Sequence, residues 1–134
     1  MQLVPDAEYV ARAQELYAYD GHLQRIIFLS TEDPNSIDYF KQLYHSNWTV
    51  LSMQLARPTG VVSPVEFACN IGPDEEMLNS LVNLDLALEC SAWVGTINSN
   101  WNRLIEELQS TVRCKAQRPY VDAHVGWKIV DYDW

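Results

Sequence analysis

From Ala7 to Tyr19 the apolar residues recur at helical spacing, at Tyr9, Val10, Ala13, Leu16 and Tyr17, which predicts an amphipathic helix. Asp20-Gly21 marks its end, with glycine supplying the left-handed residue common after a helix. Arg25 to Ser30 is a continuous β-favouring run without alternation, as expected of a strand covered on both faces. Pro34 suits the first position of the following helix, with Asp33 as its cap and Ile37, Phe40, Leu43 and Tyr44 as its stripe. Trp48 to Met53 reads as a second strand. Between Gln54 and Glu75 three prolines and two glycines interrupt any period, so a binding loop or a disordered excursion is expected, with one short helix near Val65–Cys69. Glu75 to Glu89 is apolar almost all round (Met77, Leu78, Leu81, Val82, Leu84, Leu86 and Leu88), which predicts a heavily buried helix behind an acidic start. Ser91 to Thr96 is the third strand. Trp101, Leu104, Ile105, Leu108 and Val112 then predict a clean helix. Tyr120-Val121 and Trp127 to Val130 are candidate short strands.

Helices alternating with strands imply an α/β fold: a Rossmann-like parallel sheet with right-handed crossovers and helices on both faces, or half of one. At 134 residues the whole chain, 1–134, reads as a single domain.

Composition narrows the partners. With 48% hydrophobic and 20% charged residues the chain is ordinary globular material. Its net charge of −9 argues against nonspecific binding to nucleic acid or anionic membrane, while leaving room for a local phosphate site. No secretory signal or membrane-spanning run stands in the sequence, which as written reads as soluble. Cys69, Cys90 and Cys114 are spaced for neither a disulfide framework nor a zinc site, and Cys90 is expected to be a buried small hydrophobe. His22, His45 and His124 lack the spacing of a triad or a metal site, and no P-loop, G-x-G-x-x-G or G-x-S-x-G occurs. Asn47-Trp48-Thr49 is a glycosylation sequon, a short pattern that arises by chance.

Ligands of open parallel sheets bind beyond the carboxyl ends of the strands. Two polar turns are expected there, Ser30 to Asp33 and Gly95 to Asn100. In the second, Gly95 permits close backbone approach, and small polar residues open a well-formed helix whose free amides and dipole suit phosphate. Asn98 or Ser99 could equally serve as a plain helix cap. Arg103 could meet an anion at that helix start or pair with Glu106 or Glu107. Asp33 is at least as well explained as a cap. Asp85, a carboxylate in an apolar helix, is either at an exposed edge or held by a partner.

Two of these segments resemble the α1,6-fucosyltransferase-like enzymes. Phe28-Leu29-Ser30-Thr31-Glu32-Asp33-Pro34 is similar to that family's strand-and-turn "LATDDP" segment. Cys90 to Asn100, continuing through Arg103-Leu104 and Glu107-Leu108, is similar to its motif running from a cysteine at a helix end through a strand to "T-x-S-S" and an arginine-bearing helix. The similarity spans roughly Ala7 to Leu108. It implies the nucleotide-sugar-binding half of a GT-B enzyme, working in the Golgi lumen. Such an enzyme transfers fucose from GDP-fucose to a glycan acceptor, as in N-glycan core α1,6-type fucosylation, without a metal or other cofactor. Thr96, Asn98 and Ser99 would then lie near the diphosphate, supported by Asn100 and Arg103, while Thr31, Glu32 and Asp33 would face the sugar nucleotide.

Glu32 stands where the family has an aspartate. Asn83 stands where it has the guanine-recognising aspartate, with Asp85 two residues on. The family's "H-x-R-R-x-D" motif and catalytic carboxylate would precede Met1. Two missing arginine contacts cost about 3–6 kcal/mol, so this segment alone is expected to bind GDP weakly and to transfer nothing. The alternatives are a non-catalytic interaction domain derived from such an enzyme, or a GT-B glycosyltransferase using another nucleotide sugar.

Overall fold

The computed structural model describes residues 4–42, 47–55, 63–115 and 119–124. The element order is α1 (Asp6–Tyr19), β1 (Ile26–Phe28), α2 (Pro34–Gln42), β2 (Thr49–Leu51), α3 (Pro64–Ile71), α4 (Pro73–Glu89), β3 (Trp93–Gly95), α5 (Asn100–Thr111) and β4 (Tyr120–Asp122). The fold is mixed α/β, and each strand–helix–strand run closes a parallel pair. β1 lies beside β2 with Ile27 opposite Val50, and β3 beside β4 with Val94 opposite Val121. Among the described residues these are two two-stranded sheets. The candidate strand at Trp127 to Val130, Leu43 and Tyr44 of the α2 stripe, and His45 lie outside the described residues.

The chain divides into two compact units, residues 1–24 with 90–134, and residues 25–89. In the first, α1 packs on β3 and β4. Leu16, Ile105, Val121 and Ala123 are its buried apolar side chains. Full burial of a side chain such as Val121 or Ile105 is worth about 1.5–3 kcal/mol. Of the stripe expected on α5, Ile105 is buried while Leu104 and Val112 are exposed, and the polar Gln109 is buried beside it. The helix therefore rests on a narrower face than its apolar residues suggest. In the second unit Ile37, Phe40, Trp48, Ala87 and Leu88 are buried, and α3 packs against α4.

Three expectations are corrected. The end of α1 does not use a left-handed Gly21. Instead the Asp20 carboxylate accepts the His22 amide (3.0 Å) and the Asp20 carbonyl accepts the Leu23 amide (3.1 Å), a turn any residue at 21 can follow. The strand run at Arg25 to Ser30 is not covered on both faces. Ile26 and Leu51 are exposed, and β2 alternates as a strand does with one face covered. Nor is α4 heavily buried: Met77, Leu78, Leu81, Val82 and Leu86 are exposed, and only Ala87 and Leu88 are buried.

Within Gln54 to Glu75 the helix expected near Val65–Cys69 is α3. Its first turn is capped by the Ser63 hydroxyl, which accepts the Glu66 amide (3.2 Å). Its end is Gly72 at φ 101°, a conformation that disfavours any side chain. Pro73 then opens α4 at once. Cys90 is half-buried rather than buried, and Cys69, Cys90 and Cys114 are free thiols.

Candidate functional site

The turn from β3 into α5 carries five of the candidate residues: Thr96, Asn98, Ser99, Asn100 and Arg103. β3 is short because Gly95 ends it. A Cβ at position 95 would stand 2.6 Å from Asn102 Nδ2 and 2.7 Å from the Trp93 ring. Gly95 is therefore spent on packing the α5 side chain Asn102 against the strand, and not on the approach of a ligand. The Asn102 amide group uses that closeness, donating from Nδ2 to the Thr96 carbonyl at 3.1 Å. The same carbonyl accepts the Ser99 amide at 3.0 Å.

Ser99 is the N-cap of α5, its hydroxyl accepting the Asn102 amide at 3.4 Å. Of the two roles open to Ser99, capping is the one its side chain performs. The amides of Asn100 and Trp101, also in the first turn, have no acceptor one turn back, and the helix dipole adds partial positive charge beside them. Arg103 donates from Nη2 to Asn100 Oδ1, so its guanidinium sits over the helix start. Asn98, Asn100 and Arg103 are exposed.

Sequence reasoning missed the residue that organises this turn. Asp122, at the end of β4, is 5% exposed. Its Oδ2 accepts the Ile97 amide at 2.7 Å and the Tyr120 hydroxyl at 3.1 Å, and its Oδ1 accepts the His124 amide at 2.8 Å. Three donors satisfy a carboxylate that burial alone would penalise. They also fix the β3–α5 turn to the neighbouring strand end. Tyr120 stacks on Trp93 with ring centroids 4.1 Å apart, which steadies the same edge. Tyr9 of α1 reaches this edge as well. Burial raises the Tyr9 pKa, a hydrogen bond with Thr96 opposes that rise, and the charges of Asp122 and Asp6 add to it. The signal for Asp122 was available: an acid closing a short β run falls where parallel sheets gather polar groups.

The remaining candidates belong to the other unit. Thr31, Glu32 and Asp33 form the turn between β1 and α2. The Thr31 hydroxyl accepts the Asp33 amide (3.1 Å), and Asp33 caps α2 by accepting the Asn35 amide (2.8 Å) and the Asn35 side-chain amide (3.0 Å). Glu32 is exposed. Asn83 joins this turn, because its Oδ1 accepts the Ser30 hydroxyl at 2.7 Å. Asp85 is exposed, and two residues on a helix turn it about 200° from Asn83. The structure thus brings Asn83, and not Asp85, to the carboxyl end of β1.

His22 and His124 are exposed, and among the described residues no group of three or more His, Cys, Asp or Glu side chains could hold a metal ion. No helix among them is long and apolar enough to cross a membrane. No protein-family model, curated protein or solved structure matches this chain.

Proposed function

We propose that the chain is the donor-binding part of a glycosyltransferase of the α1,6-fucosyltransferase-like, GT-B type, a Rossmann-like half that holds GDP-fucose for transfer to a glycan in the Golgi lumen. One observation carries the reading. Both segments that resemble the family occupy the same station, the turn from the carboxyl end of a parallel strand into a helix. Thr31 to Asp33 follow β1, and Thr96 to Ser99 follow β3. At the second turn the Asn100 and Trp101 amides and the Arg103 guanidinium supply the counter-charge for a diphosphate, which makes a metal unnecessary.

A thermal-shift titration with GDP, UDP and ADP tests this. Selective stabilisation by GDP is expected, and Arg103→Ala should weaken it by roughly tenfold or more, the worth of one charge-assisted hydrogen bond. A preference for UDP would favour a GT-B enzyme using another nucleotide sugar. The second reading, a non-catalytic interaction domain, draws on the way Ser99 and Asp33 cap their own helices while the Ile97 amide is held by Asp122. No response to any nucleotide would leave that reading standing.

A further inference from the structure

Asn47-Trp48-Thr49 is the only Asn-x-Ser/Thr triplet in the sequence, and its middle residue is not proline. Such triplets arise by chance, so its placement in the fold decides what it can do. Asn47 is exposed in the turn that leads into β2, at φ 63°, a left-handed conformation that asparagine adopts more readily than most residues. Trp48 is buried, at 8% exposure, and Thr49, the first residue of β2, is exposed again. The Thr49 amide donates to the Arg25 carbonyl at 2.8 Å, and Thr49 lies opposite Ile26 of β1. The triplet is thus held by its indole and its backbone, while the two residues that glycosylation needs are exposed. Among the described residues neither the Asn47 side-chain amide nor the Thr49 hydroxyl is engaged in a hydrogen bond.

We propose that Asn47 is the acceptor of an N-linked glycan once the chain enters the secretory lumen. The co-reactant is an oligosaccharide carried on a polyprenyl diphosphate and delivered by the lumenal oligosaccharide transferase. The Asn47 side-chain nitrogen bonds to the anomeric carbon of the first sugar. The bond from that carbon to the diphosphate oxygen breaks, the diphosphate leaves with the electron pair, and the nitrogen gives up one proton. Thr49 supplies the hydroxyl that this transfer requires two residues on. A glycan is bulky and strongly hydrated, so a fold can carry one only where the asparagine stands at the surface. Exposed Asn47 meets that condition without disturbing Trp48, whose burial continues beside it. The inference rests on the lumenal setting of the proposed transferase, and not on nucleotide binding at the β3–α5 turn.

The test sends the full chain, behind a cleavable secretory signal, into the lumen of a glycosylating eukaryotic cell. One discrete upward shift on a denaturing gel is expected, erased by peptide-N-glycosidase, which converts the linked asparagine to aspartate. Peptide mass spectrometry reads that conversion at position 47. Asn47→Gln and Thr49→Ala should each abolish the shift, while Thr49→Ser, which keeps the hydroxyl, should retain it. The glycosylated chain should give the same circular dichroism as the Asn47→Gln chain. The proposal is overturned if the chain in the lumen is unshifted, or if the shift survives Asn47→Gln or Thr49→Ala. It is also overturned if the glycosylated chain is unfolded where the Asn47→Gln chain is folded. A GDP titration of the same protein separates the two readings. A glycan at Asn47 with no nucleotide response counts against donor binding alone, and a GDP response without the glycan counts against this proposal alone.

Discussion

After β1 the chain enters α2 through Ser30 to Asp33, and after β3 it enters α5 through Thr96 to Ser99. Each turn follows a parallel strand, and each ends in a residue that caps the next helix. What differs is the anchoring. The first turn is held from within by Thr31 and Asp33, and Ser30 ties it to Asn83. The second is tied to the adjoining strand by a buried carboxylate with three donors, and to its helix by Asn102. Hydrogen bonds shielded from water are worth more, and cost more to lose, than exposed ones. The same local design can thus give one turn that yields easily and another that holds its shape.

Asp122→Ala should break the second turn most severely. The Ile97 and His124 amides and the Tyr120 hydroxyl lose their acceptor, at a cost of about 3–5 kcal/mol in urea unfolding. The matching cut in the first turn, Asn83→Ala, should cost about 1 kcal/mol because Ser30 can turn to water. Equal losses at the two sites would remove the distinction. Gly95→Ala should cost about 1–3 kcal/mol by overpacking against Asn102 and Trp93. Ser99→Ala and Asp33→Ala should each cost about 1 kcal/mol, the usual worth of a helix cap. Those two hydroxyl and carboxylate caps are where the turns ought to behave alike.

A smaller effect follows from Tyr9. Its pKa is raised in the folded chain above the ordinary 10.0, so the folded state keeps a proton that the unfolded state has given up. The resulting stability is complete below the unfolded tyrosine pKa and is lost as pH rises through the folded one. Tyr9→Phe should flatten the alkaline arm of the stability curve. An unchanged alkaline arm would show that Tyr9 does not titrate against the Asp122 edge.

Much of this was legible in the residues. Apolar spacing gave α1, α2 and α5, and β-branched runs gave the strand positions, because local pattern and local structure agree there. The reading of α4 went astray because periodicity reports how apolar a helix is and not how much protein is available to cover it. Gly95 was assigned to ligand approach since a glycine after a strand serves close contact of any kind, and only coordinates reveal Asn102 as the neighbour. Asp122 was overlooked because the donor that ties it to the β3–α5 turn, the Ile97 amide, lies 25 residues away along the chain, a pairing that local spacing does not encode.

The tight fit between Gly95 and Asn102 also constrains how this chain can vary. A larger residue at 95 is tolerable only after 102 has shrunk and the Trp93 ring has shifted. Shrinking 102 first surrenders the clasp on the Thr96 carbonyl. Neither single step is neutral, so descendants should inherit both residues together or replace both together.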